Sequence, residues 1–264
     1  IFLHLLIWTL VPAISNVNLP LDTIEALAWG SNLEWGYSKH PPVSALIVEI
    51  NHFIFGSRDW AFYLLSQIFV VVSFYFIWKL SKFFFKDNLF PLLSILILEA
   101  IVFFNYTTPE FNVYVCQLPI KAVSVYFFWK AVSLNKILDW IILSISTSIG
   151  ILTHYSFIFL IISIFVYFIF FVKKNKKIFT NFFFAIAIFF LILTPHLIWL
   201  FENNFITFSY AITRTAIVEK NLLSHILNPL IFVLKQTGML IFFIILFLTI
   251  FNFKKKTNNL KKLD

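Results

Sequence analysis

Two carboxylates, Asp22 and Glu25, lie three residues apart, upstream of a basic corner, Lys39-His40, that runs into Pro41-Pro42. A carboxylate kept ionised at a membrane surface can accept a proton, and a lysine beside a histidine can face the oxygens of a lipid phosphate. Each pair also has a plainer reading. Asp22 with Glu25 fits a capping box, in which Asp22 accepts the first N–H groups of a helix and Glu25 reaches back. Local sequence favours that reading, and the helix terminus would hold Asp22 charged in either case. Lys39 and His40 fit solvated loop residues. The prolines suit the first turn of the next helix and press His40 into extended backbone, so the corner is stiff.

The elements that must position these groups follow from composition. Of 264 residues, 61% are hydrophobic and 12% charged, with 37 phenylalanines. A soluble domain of this size cannot hide so much apolar surface. The apolar runs lack period-two alternation, so the expectation is an all-α membrane protein, a polytopic helix bundle of about eight spans. They lie at about 1–14, 60–80, 89–105, 112–131, 137–153, 156–172, 178–198 and 229–252. Long outer loops cover 15–59 and 201–228, and the first carries short interfacial helices, among them Val43 to Phe55. The bundle domain is 1–253, and 254–264 is a basic cytoplasmic tail.

Lysine clusters hold 14 of the 20 basic residues and recur at alternate turns, the positive-inside pattern. The net charge of +8 therefore speaks for membrane orientation and not for nucleic acid, which would need basic residues interleaved with aromatics on one face. Placing the lysines in the cytoplasm puts the turns at 15–59, 105–112, 153–156 and 201–228 on the opposite face. That face carries the varied polar residues: Asp22, Glu25, Glu34, Lys39, His40, Glu110, His154, His196, Glu202 and Arg214. There is no Gly-rich phosphate loop, no zinc-protease helix motif and no nucleophile elbow. One cysteine, Cys116, excludes an intrachain disulfide.

The order Asp22, Trp29, Asn32-Leu33-Glu34-Trp35-Gly36-Tyr37 and His40-Pro41-Pro42 resembles the first outer loop of the family 39 glycosyltransferases. These are relatives of bacterial aminoarabinose and protein O-mannosyl transferases with the GT-C membrane fold. Three later stretches agree: TTPEFN from Thr107, THYS from Thr153, and PHLIWLFENNFITFSYA from Pro195. The resemblance covers nearly the whole chain and implies the N-terminal portion of a usual member. It departs in two places. Asp22 is followed by Thr23 where many members have Glu. The corner reads Lys39-His40-Pro41 where aminoarabinose transferases have Glu-Lys-Pro, which argues against that sugar.

The resemblance implies an inverting transfer of a sugar from a polyprenyl-phosphate donor to a lipid or protein acceptor, on the outer face of a bacterial inner membrane. Asp22 then corresponds to the catalytic base. Lys39, His40 and Arg214 are the candidates for the donor phosphate, with pairing of Arg214 to Glu219 across a helical turn as the alternative. Glu25, Tyr37, Glu110, Asn112 and His196 are candidates for substrate contact, with helix capping the plainer role for Glu110 and Asn112. Two histidines and a carboxylate could hold a divalent ion, but no spacing demands one, so no metal ligand and no cofactor is assigned. Lys121 is expected to pair with Gln117. Two other readings stand beside the enzyme. A transporter or flippase of lipid-linked precursors would use Glu99 and Lys121 as intramembrane charges. A shortened, inactive remnant would explain the isoleucine start and the lysine-rich end.

Overall fold

The computed structural model describes residues 1–172, 176–216 and 222–249. Among them there is no strand. Helix α1 is Phe2–Ser15, α2 Leu21–Gly30, α3 Val43–Phe55, α4 Asp59–Phe84, α5 Leu89–Glu99, α6 Val113–Leu134 and α7 Ile137–Thr153. Then follow α8 Ile158–Phe171, α9 Lys176–Glu202, α10 Ile206–Ala216 and α11 Leu222–Met239. Short 3-10 turns at Val102–Phe104 and Tyr155–Phe157 precede α6 and α8. The basic tail 254–264 and Glu219 lie outside the described residues.

Helix α6 is central, packed between α4 and α7; α1 lies on α4 and α9 lies on α7. Outward surfaces stay apolar: Phe159 and Phe170 of α8 and Leu191 of α9 are each more than 70% exposed. That is how a helical membrane protein meets lipid. Inside, small polar residues bring the helices close. Ser144 donates to the Ala185 carbonyl, Ser148 to that of Phe189 at 3.3 Å, and Ser124 to Ser146 at 2.9 Å. Gly150 completes this face, because an added Cβ would stand 2.5 Å from three ring atoms of Phe157. Phe157 is fully buried and has nowhere to go. Gly150→Ala should therefore destabilise the bundle by about 1–3 kcal/mol, the usual cost of overpacking, read as a lower melting temperature in detergent.

The expected helices are present, with two corrections. The run 89–105 is not one helix: α5 stops at Glu99, whose carbonyl accepts the Asn105 side chain at 2.7 Å, and the chain turns. The run 229–252 begins earlier, at Leu222, carries Pro229 inside the helix, and bends by 51° between Met239 and Ile241. Among the described residues, α4 and α9, of 26 and 27 residues, are each long and apolar enough to cross a membrane alone, and the bent pair Leu223–Met239 with Ile241–Thr249 makes a third candidate if counted as one span. Helices α1, α5, α7 and α8 have 14, 11, 17 and 14 residues, short of the ~20 a bilayer asks.

The two ends of the bundle differ. At the end where α6 passes into α7, Lys130 Nζ lies 2.8 Å from Asp139 Oδ1. Asn135 turns the chain there with φ of 49°, and its side chain accepts from Trp140 at 3.2 Å and Asn181 at 2.9 Å. Trp140, Phe168 and Ala185 form the core beneath. The other end gathers the turns before α2, α3, α6, α8 and α10.

The intramembrane charges are partnered otherwise than expected. Glu99 meets His4 of α1 at 2.8 Å, and the second ring nitrogen of His4 meets Gln67 at 3.0 Å. Gln117 donates its amide N–H to the carbonyls of Gly150 and His154, at 3.3 and 2.8 Å, and its Oε1 accepts from Ser156 at 3.5 Å and not from Lys121.

Candidate functional site

Helix α2 starts behind Pro20, and no side chain caps it from within. The capping-box expectation for Asp22 and Glu25 is therefore overturned. The free N–H of Asp22 is taken instead by Glu110 Oε1 at 3.2 Å, and buried Thr23 donates to the Phe111 carbonyl at 3.1 Å. Glu110 thus supplies from a distant turn the negative charge that a helix N-terminus favours. Relieved of capping, both carboxylates point the same way, as residues three apart on a helix do. Lys39 Nζ reaches them, at 2.6 Å from Glu25 Oε2 and 3.9 Å from Asp22 Oδ1. Asn112, by contrast, does cap: it accepts from the N–H groups of Tyr114 and Val115 at 3.0 and 3.1 Å.

The basic corner is fixed by its neighbours. The Tyr37 N–H donates to the His40 carbonyl at 3.0 Å, and the Tyr37 ring stacks on Trp29 at 5.4 Å. Pro42 is the N-cap of α3, where no N–H is missed. The His40 ring stands edge-on to Trp29 at 5.8 Å and 5.3 Å from His154, which in turn lies 5.2 Å from Tyr114.

Helices α9 and α10 clamp this loop. His196 Nδ1 donates to the Trp35 carbonyl at 2.5 Å, which leaves Nε2 to accept the Tyr155 hydroxyl at 2.9 Å. Trp199 donates to Glu34 at 3.2 Å, and Thr207 to the Tyr37 carbonyl at 3.2 Å. Gly36 permits the approach, since a Cβ there would sit 2.4 Å from the Trp199 ring. His196 is 1% exposed with both nitrogens used inside the protein, so it has none to offer a substrate. Tyr37 is likewise buried, and its hydroxyl donates to the Asn32 carbonyl at 3.3 Å.

Asp22, Glu25, Trp29, His40, Ser44 and Asn112 line one small crevice of about 10 Å³. Arg214 is exposed on α10 and donates to the Tyr210 hydroxyl at 3.2 Å, while its charge reaches His40. The predicted residues thus divide. Asp22, Glu25, Lys39, His40 and Asn112 come together, Arg214 stands beside them, Glu110 stands behind, and Tyr37 and His196 are fastenings. Sequence reasoning passed over Tyr155, Thr207 and Tyr210. The first two have partners 41 and 170 residues away, which no local pattern announces. Tyr210 lies one helical turn before Arg214, a spacing that does signal contact.

Burial, then the charges of His154, Lys39 and Arg214, push His40 down to about 4. Burial, then Lys121, pushes His154 down as well. Burial works against the Lys39 ammonium, but the Glu25 hydrogen bond and the carboxylates of Glu25 and Asp22 outweigh it and raise its pKa. At neutral pH His40 is therefore an uncharged N–H donor, and Lys39 is a cation. The unfolded chain protonates His40 at the ordinary 6.5, the folded chain only near 4. Its contribution to stability is whole above 6.5 and is lost as pH falls toward 4. Melting temperature should fall across that window, and less steeply in His40→Gln. A slope unchanged by the substitution contradicts the assignment.

Among the described residues no group of three or more His, Cys, Asp or Glu side chains is placed to hold a metal ion. No curated protein and no solved structure matches the chain. The profile of the dolichyl-phosphate-mannose-protein mannosyltransferase family matches residues 39–199, more than half of it. The matched segment holds Lys39, His40, Glu110, Asn112 and His196; Asp22, Glu25, Tyr37 and Arg214 fall outside it. With its helical membrane architecture and this match, the chain belongs to the dolichyl-phosphate-mannose-protein mannosyltransferase family, a family of membrane glycosyltransferases.

Proposed function

We propose that the chain transfers a sugar from a polyprenyl-phosphate donor to a hydroxyl of a lipid or protein acceptor, with inversion, at the outer face of a bacterial inner membrane. One observation carries the reading: Asp22, Glu25, Lys39 and His40 converge at the end of the bundle away from the Lys130–Asp139 pair. Asp22 takes the proton of the acceptor hydroxyl. The acceptor oxygen bonds to the anomeric carbon from one side as the bond to the phosphate oxygen breaks on the other. The electron pair leaves with the lipid phosphate, whose charge is met by Lys39 and Arg214, with a hydrogen bond from neutral His40. Arginine suits this place because its fork matches phosphate oxygens. Glu25, Asn112 and Ser44 face the crevice and are placed to read sugar hydroxyls.

The test is a proteoliposome assay with a polyprenyl-phosphate sugar and mixed acceptors, analysed by mass spectrometry. Release of polyprenyl phosphate together with a glycosylated acceptor supports the reading. Movement of intact donor between leaflets, with no bond broken, supports the transporter reading instead.

A further inference from the structure

Lys39 is engaged before any anion can reach it. Its ammonium lies 2.6 Å from Glu25 and 3.9 Å from Asp22, so two carboxylates face one cation. Glu25 has no task in holding α2. It does not cap α2, and among the described residues Lys39 is its one hydrogen-bond or ion-pair partner. Other phosphate-facing groups stand close by. Arg214 bonds Tyr210, whose phenol is near enough to act on Lys39, and the charge of Arg214 is felt at His40. A phosphate meeting Lys39, His40 and Arg214 together would have to draw Lys39 from Glu25.

We infer that Glu25 is a positioning residue that competes with the donor phosphate for Lys39, so that phosphate binding exchanges one anionic partner of the lysine for another. This rests on the reading of a phosphate-bearing donor at this site. The exchange keeps Lys39 hydrogen-bonded throughout, which spares the cost of an unpaired, part-buried ammonium. It also draws the cation from between the two carboxylates once the donor has arrived. Glu25 then faces the crevice as a bare carboxylate that can accept hydrogen bonds from sugar hydroxyls. Glu25 thereby lowers the affinity for phosphate alone and favours ligands that carry a sugar to satisfy it.

The experiment titrates the full chain in lipid nanodiscs with farnesyl phosphate, which has the phosphate and no sugar. Glu25→Gln should bind it about fivefold more tightly, the upper end of what a partly exposed ion pair contributes and phosphate no longer has to break. Glu25→Ala should move in the same direction, and Glu25→Asp, which keeps the charge, should stay near wild type. Adding Lys39→Met to Glu25→Gln should abolish the gain. A merely structural Glu25 would give weaker binding in every variant. Inorganic phosphate titrated in parallel separates the sources: a gain with both probes assigns the exchange to any phosphate, a gain with farnesyl phosphate alone to lipid phosphate. Equal or weaker binding by folded Glu25→Gln and Glu25→Ala, with wild type binding normally, overturns the exchange and leaves the donor reading standing. No binding of either probe by wild type or folded variants overturns both.

Discussion

Asp22→Asn should cut sugar transfer by about 10²- to 10⁴-fold, the range that a positioned general base contributes, while the protein stays folded and binds farnesyl phosphate. The fold should survive because the Asp22 side chain caps nothing: its backbone N–H is what Glu110 holds, and asparagine keeps that N–H. Lys39 retains Glu25 at 2.6 Å, so the basic corner stays anchored. The loss should therefore fall on kcat, with donor affinity little changed. Transfer rate and farnesyl phosphate Kd, measured on one proteoliposome preparation, separate the two. Undiminished kcat in Asp22→Asn would remove Asp22 from the chemistry.

The second large effect lies at the opposite end and concerns stability. Lys130→Met should cost about 3 kcal/mol, because it strands a buried carboxylate. The Asp139 side chain is 3% exposed, its Oδ1 has Lys130 at 2.8 Å, and its Oδ2 has no hydrogen-bond partner. The figure is the low end of the usual range for breaking such pairs, since the Lys130 side chain is 27% exposed and water relieves part of the penalty. Asp139→Asn in the same chain should recover most of the loss by removing the stranded charge. Unfolding in detergent reads both. Transfer per folded molecule should not change, because this pair stands away from Asp22. Equal losses from the single and double substitutions would show that packing, not charge, is what Lys130 supplies.

Much of the helical layout is legible in the sequence. The Pro-Pro pair before α3 and the mainly apolar run of α7 give Val43–Phe55 and Ile137–Thr153 without structural help, since prolines and long apolar runs act through local backbone and hydration physics. What is not legible is decided between distant residues. The end of α5 depends on Asn105 folding back on the Glu99 carbonyl. The start of α2 depends on Glu110, 88 residues away, which is why the capping box that Asp22 and Glu25 suggest does not form. The same holds at the site. Asp22, Lys39 and His40 can be chosen by residue type and spacing within one loop. That His196 is a fastening and not a ligand contact follows only from its bond to Trp35, 161 residues away. Glu99 finds His4, 95 residues away, for the same reason.

The account stands on sidedness: the Asp22 crevice and the lysine-bearing turns belong to opposite faces of one membrane. Cysteine labelling in intact cells reads this directly, because the native Cys116 is fully buried and silent. Single cysteines at exposed Ser38, beside the crevice, and at exposed Asp87, in the turn after α4, report the two faces. A membrane-impermeant maleimide should label Ser38→Cys from outside and Asp87→Cys only after permeabilisation. Labelling of both from the same side would contradict the account.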